Sequence, residues 1–137
     1  MREILFRGKD VEDDSWVYGD LQNCGDNGWQ IWKNDNDITE YPNHYVIPET
    51  VGQFTGLTDK NGVKIFEGDI VRDLKWEEGP NMPVVWDDSE ARFCTDITDY
   101  KDMKQPYEDK HYWPLRGSDI EVLQMTVIGN IHDKAAV

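Results

Sequence analysis

Thr50-Val51-Gly52-Gln53-Phe54-Thr55-Gly56-Leu57-Thr58-Asp59-Lys60-Asn61-Gly62-Val63-Lys64-Ile65-Phe66-Glu67-Gly68-Asp69-Ile70-Val71 is the most regular stretch of the chain. Apolar residues alternate with polar ones, and glycines or Asp and Asn interrupt the runs every few positions. A period of two places successive side chains on opposite faces of a strand, whereas a helix would need a period of 3.6. Asn61-Gly62 between apolar runs predicts a tight hairpin, because both residues accept positive φ. Glu67-Gly68-Asp69 predicts a second turn, after which Asp69–Leu74 resumes as a strand.

The same grammar extends in both directions. Upstream, Glu3–Arg7 and Trp16–Leu21 flank a polar connector and predict an antiparallel pair. Asp26-Asn27-Gly28 marks a turn before Trp29–Trp32, and His44–Ile47 is a short strand candidate closed by Pro48. Downstream, Met82–Trp86 and Ala91–Thr95 form a hairpin pattern, and Ile120–Leu123 and Thr126–Ile131 read as strands. Residues 96–119 lack a clean period and read as a long loop or insertion, with one helical turn near Asp99–Lys104. The prediction is a mainly β single domain over residues 1–137. It consists of short antiparallel strands, barrel-like or sandwich-like, with long loops and little helix.

Composition bounds the function. The chain has 137 residues and 28 Asp and Glu against 14 Lys and Arg, for a formal net charge of −14. Residues 1–50 hold 11 acids and 4 bases, residues 51–90 hold 9 and 4, and residues 91–137 hold 8 and 6. Nucleic-acid binding draws on clustered Lys and Arg that release counterions, so this charge disfavours it as a direct activity. Negative charge serves solubility, and it also suits a docking face for a basic protein, including a DNA-mimicking one. Six Trp, six Tyr and four Phe argue against disorder. Burial is the ordinary use of Trp, filling the core or covering sheet faces. Tyr107, Tyr112 and Trp113, in the irregular stretch, are the candidate contacts for a partner, a peptide or a carbohydrate. No apolar run reaches the roughly 20 residues of a membrane helix, and the N-terminus lacks a signal-type apolar stretch. Cys24 and Cys94 stand 70 positions apart without a Cys-x-x-Cys, so free thiols in a reducing cytosol are expected.

Catalytic and cofactor motifs fail one by one. With Gly62 at the sixth position of a calcium loop, its first and twelfth ligands would be Leu57 and Gly68, which cannot serve. His44, His111 and His132 have no metal-ligand spacing. There is no nucleophile elbow, phosphate-cradling glycine loop or local cysteine-nucleophile signature. No cofactor, metal or catalytic residue is predicted. The rival is a small hydrolase, or an enzyme acting on a nucleotide or sugar, whose carboxylates meet only in the fold.

The run from Thr50 to Val71 closely resembles the signature of the YopX-like family of phage and prophage proteins. Arg2–Gly8 and Trp16–Leu21 are similar to that family's start, and Val127–Ile131 to its ending. The resemblance implies a largely β accessory protein of a phage or prophage, in the bacterial host cytosol. It implies action by protein binding or self-assembly, without established enzymatic activity. The recurrent motif residues include Gly56, Asp59, Gly62, Gly68 and Asp69, which we read as turn-formers. The chain departs from the family pattern in a variable, loop-rich stretch at about 73–119 and in a short C-terminal end.

Overall fold

The computed structural model describes residues 1–34, 42–75, 79–97 and 112–133. The chain is mainly β, as its alternation predicts, and divides into two compact units, Met1–Gly56 and Leu57–Val137.

The first unit holds β1 (Phe6–Lys9), β2 (Trp16–Asn23), β3 (Trp29–Trp32), β4 (Asn43–Val46) and β5 (Gly52–Thr58), which runs two residues past the boundary. Short 3-10 turns at Gly25–Asn27 and Pro48–Thr50 join its strands. All pairs are antiparallel, in the order β4-β3-β2-β1-β5. Val17, Ile31 and Val46 are buried together, with Phe6, Leu21, Trp29 and Val51 packed against them. Beyond β1 the backbone reaches back to β4. Asp10 bridges Val46, Val11 N–H donates to Tyr45 O at 3.0 Å, and Ile47 N–H donates to Lys9 O at 2.8 Å. A Cβ on Gly8 would lie 3.0 Å from Val46 Cβ, so glycine lets β1 and β4 approach across the interior.

The second unit holds β6 (Lys64–Phe66), β7 (Asp69–Asp73), β8 (Met82–Asp87), β9 (Arg92–Asp96), β10 (Tyr112–Pro114), α1 (Gly117–Leu123) and β11 (Met125–Asn130). Its sheet order is β10-β9-β8-β7-β11, again antiparallel. Ile65, Val71, Val84, Ile97, Ile120 and Met125 lie in its core with Met82. Two local expectations are corrected here. Ile120–Leu123 is helical, because Ile120 and Leu123, three apart, both meet the core while Glu121 and Val122 face solvent. Tyr112–Pro114, inside the stretch read as loop, pairs with Asp96, Thr95 and Cys94 as a strand. Pro114 is tolerated because it ends β10 at the sheet edge, and Leu115 N–H then donates to Phe93 O. The helical turn expected near Asp99–Lys104 lies outside the described residues.

The tryptophans also differ from expectation. None of the five described Trp is fully buried, and Trp32, Trp86 and Trp113 are exposed. The buried interiors are mostly Ile, Val and Met, with Leu5, Phe54, Phe66 and Cys94, none of which needs a partner for an indole N–H.

Candidate functional site

The motif turns are built around two buried carboxylates. Asp59 Oδ1 accepts from Asn61 N–H at 2.8 Å and from Val63 N–H at 3.0 Å, and Oδ2 accepts from Val127 N–H at 3.0 Å. One side chain therefore forms the hairpin and fastens β11 to it. Asp69 Oδ2 accepts from Phe66 N–H at 2.7 Å and closes the turn between β6 and β7. Gly62 and Gly68 have φ of +82° and +92°, values that disfavour any side chain at those turns. Gly56, expected at a turn, instead lies within β5, at φ +87° with open space around it. Asp59 and Asp69 thus turn these carboxylate oxygens toward main-chain amides.

The return of the chain from β1 to β4 opens a cleft of about 400 Å³, lined by Asp10, Glu12, Asp13, Asn43, His44 and Tyr45 among others. Buried Asp10 accepts from His44 Nδ1 at 2.7 Å and from Glu12 N–H at 2.8 Å. A carboxylate has no proton to give, so the imidazole donates from Nδ1. Nε2 is itself buried and has no hydrogen-bond partner among the described residues. The Ser15 hydroxyl and amide hold the Asp13 carboxyl below its ordinary value, so it stays charged well into the acid range. Among the described residues no three His, Cys, Asp or Glu converge as a metal-binding set.

A different surface lies on the outward face of the same sheet. Residues paired across antiparallel strands share a face, and the register pairs Lys9 with Trp16, Arg7 with Tyr18, Asp20 with Trp32, Trp32 with Asn43 and Gln30 with Tyr45. Trp16, Tyr18, Trp32 and Tyr45 therefore form one diagonal row, with members roughly 7–8 Å apart along a strand or across a pair. Trp16 is covered by the chain's own cations: the Arg7 guanidinium lies 4.4 Å from its ring centre and Lys9 Nζ lies 5.5 Å away. The other three rings are 44%, 40% and 45% exposed. Gln22 Oε1 accepts from Trp32 Nε1 at 2.7 Å and fixes that indole. The pairing of Trp16 with Tyr18 was visible in the alternation of β2. The alignment of Trp32 and Tyr45 with them depends on strand register, which no local pattern states.

The predicted contact residues are only partly brought together. Tyr107 lies outside the described residues. Tyr112 and Trp113 are neighbours on β10, and so point to opposite faces. Trp113 is 40% exposed and lines a cavity of about 290 Å³ with Pro114, Leu123, Met125 and the Arg116–Asp119 ion pair.

Both cysteines are free thiols, as their spacing suggested, but their environments differ. Cys94 is buried in β9, and burial pushes its thiol up from the ordinary value, whereas Cys24 is partly exposed in a turn. The thiolate is the reacting form, so Cys94 stays protonated and shielded at neutral pH. One thiol should therefore react promptly with a disulfide reagent in the native state, and both in denaturant. Mass mapping should place the fast label on Cys24, and fast native labelling of Cys94 would contradict this packing.

Comparison with known families decides the lineage. The family model described as YopX protein matches residues 5–136, nearly the whole chain. The chain belongs to the YopX family. The Asp59 hairpin and the β6–β7 turn are therefore the built form of the YopX-like signature. Among solved structures, the crystal structure of protein EF1440 from Enterococcus faecalis is similar to this chain at 23% identity, covering 96% of this chain and 95% of that one with a TM-score of 0.47. No curated protein matches the sequence.

Proposed function

We propose that this YopX-family protein is a non-catalytic accessory protein of a phage or prophage that works in the host cytosol by docking a protein of opposite charge. The observation that supports it best is the diagonal row on the first sheet: three exposed aromatic rings in a unit with 11 acids and 4 bases over residues 1–50. Exposed aromatic side chains with few rotatable bonds are what protein interfaces are enriched in, and negative charge steers a basic partner toward them. Self-assembly is the other form of the same activity, since exposed strand edges and apolar side chains can also be covered by a second copy.

A small carboxylate hydrolase is the second reading, favoured by the cleft that holds Asp10, Glu12, Asp13 and His44. Two or more acids, or an acid and a histidine, in one concave pocket are what it calls for, and this cleft brings Asp10, Glu12, Asp13 and His44 together. The burial of His44 Nε2 weighs against the imidazole as its base and leaves the role to the carboxylates.

Sedimentation of the purified chain across concentration, paired with capture from host lysate at low and high salt, tests the proposal. A basic partner released as salt rises, or a concentration-dependent dimer, is the expected result. A strict monomer that retains no basic protein at low salt would overturn it.

A further inference from the structure

We propose that Tyr18, Trp32 and Tyr45, with Asp20 beside them, form a docking face for arginine side chains of an extended segment in a basic partner protein, an inference that rests on the protein-binding reading above. The molecule already contains the interaction in miniature. At the head of the row the Arg7 guanidinium stacks on Trp16 at 4.4 Å. Tyr18, Trp32 and Tyr45 continue the same face and are 44%, 40% and 45% exposed.

Charge and geometry select the occupant. Asp20 lies directly opposite Trp32 in the β2–β3 register, so a carboxylate stands beside the exposed indole. Its side chain is exposed, with a long contact of 3.4 Å from Asn34 Nδ2. A guanidinium is planar, stacks on an aromatic face and can bond a carboxylate through two N–H groups at once, which an ammonium cannot do. It is also more weakly hydrated, and so loses less on leaving water. Arg7 and Lys9 occupy the Trp16 end of the row, so an incoming cation is placed at the Asp20 end, and the net charge of −14 opposes approach of phosphate backbones. The hydrogen bond to Gln22 holds the Trp32 ring in place before any partner arrives, which lowers the ordering cost on binding.

Titration of the full chain with an oligo-arginine peptide, an oligo-lysine peptide of equal length and a neutral chitin oligosaccharide, followed by calorimetry, tests the assignment. The arginine peptide should bind several-fold tighter than the lysine peptide. Trp32→Ala should weaken the arginine peptide roughly 3- to 10-fold and leave the lysine peptide nearly unchanged, while Trp32→Phe restores most of the difference. Asp20→Asn should reduce the arginine preference. Tyr45→Ser, at a more exposed ring, provides the same comparison if Trp32→Ala lowers the melting temperature. Equal affinity for the two peptides, insensitive to Trp32, overturns this face but leaves a protein-binding role by diffuse charge. Failure of both cationic peptides to bind at low salt overturns the face and the basic-partner reading together. Trp32-dependent binding of the oligosaccharide without arginine preference assigns the row to sugars and overturns the proposal.

Discussion

A Gly19→Ala variant is expected to lose the fold of the first unit. A Cβ at this position would lie 1.9 Å from the Trp32 carbonyl oxygen, 2.7 Å from its carbonyl carbon and 3.1 Å from Lys33 Cα. All three are backbone atoms, so no side-chain rotation can relieve the clash. The β2–β3 ladder that pairs Asp20 with Trp32 must open instead. The cost should be about 3 kcal/mol or more, at the severe end for a single added methyl. Gly56→Ala is the control: it has open space and only the penalty of φ +87°, about 1–2 kcal/mol. Urea denaturation followed by tryptophan fluorescence would rank the two. Equal stability of both variants would show that β2 and β3 do not approach so closely. Because the ladder carries Trp32, Gly19→Ala should also abolish any selective binding of arginine peptides.

The second large effect is expected at Asp59. Removing the carboxylate in Asp59→Ala strands the amides of Asn61, Val63 and Val127, and should cost about 3–4 kcal/mol. Asp59→Asn separates the two ends of the interaction. Its amide oxygen can still accept from Asn61 and Val63, but its NH₂ group then meets the Val127 N–H, donor against donor. A smaller loss, about 1–2 kcal/mol, is expected, with amide exchange at Val127 accelerated more than at Val63. Both variants retain the hairpin's Gly62, so local turn propensity is not the quantity being changed. If Asp59→Ala unfolds at the same urea concentration as the parent chain, the carboxylate is a bystander.

These two residues also show how much of the protein was legible before its structure. The hairpin over Asp59–Gly62 follows from Asn-Gly chemistry and alternation, both local properties of the chain. That Asp59 also fastens Val127, 68 positions away, is invisible locally, because a hydrogen bond to a distant amide leaves no mark on spacing. Gly19 looked like an ordinary strand residue. Only the approach of the Trp32 backbone makes the missing Cβ necessary. Ile120–Leu123 misled for the opposite reason. Four residues rich in β-branched side chains fit a strand or one helical turn equally well, and packing of Ile120 and Leu123 into the second core decided between them.

The surfaces follow the same division. Sequence alone determined the β class, the turns, the acidity and the YopX lineage, because each is written in residue types at short range. It also placed Trp16 and Tyr18 on one face of β2. Register decided the rest. It set Trp32 and Tyr45 in line with Tyr18, put Asp20 beside the indole, and joined Asp10 to His44 across 34 positions while turning the second imidazole nitrogen inward. A slip of one residue in β3 or β4 would send those side chains to the opposite face without altering any local pattern. The alignment of the row is therefore a property of the assembled sheet, held by hydrogen bonds between strands that no single stretch of the chain contains.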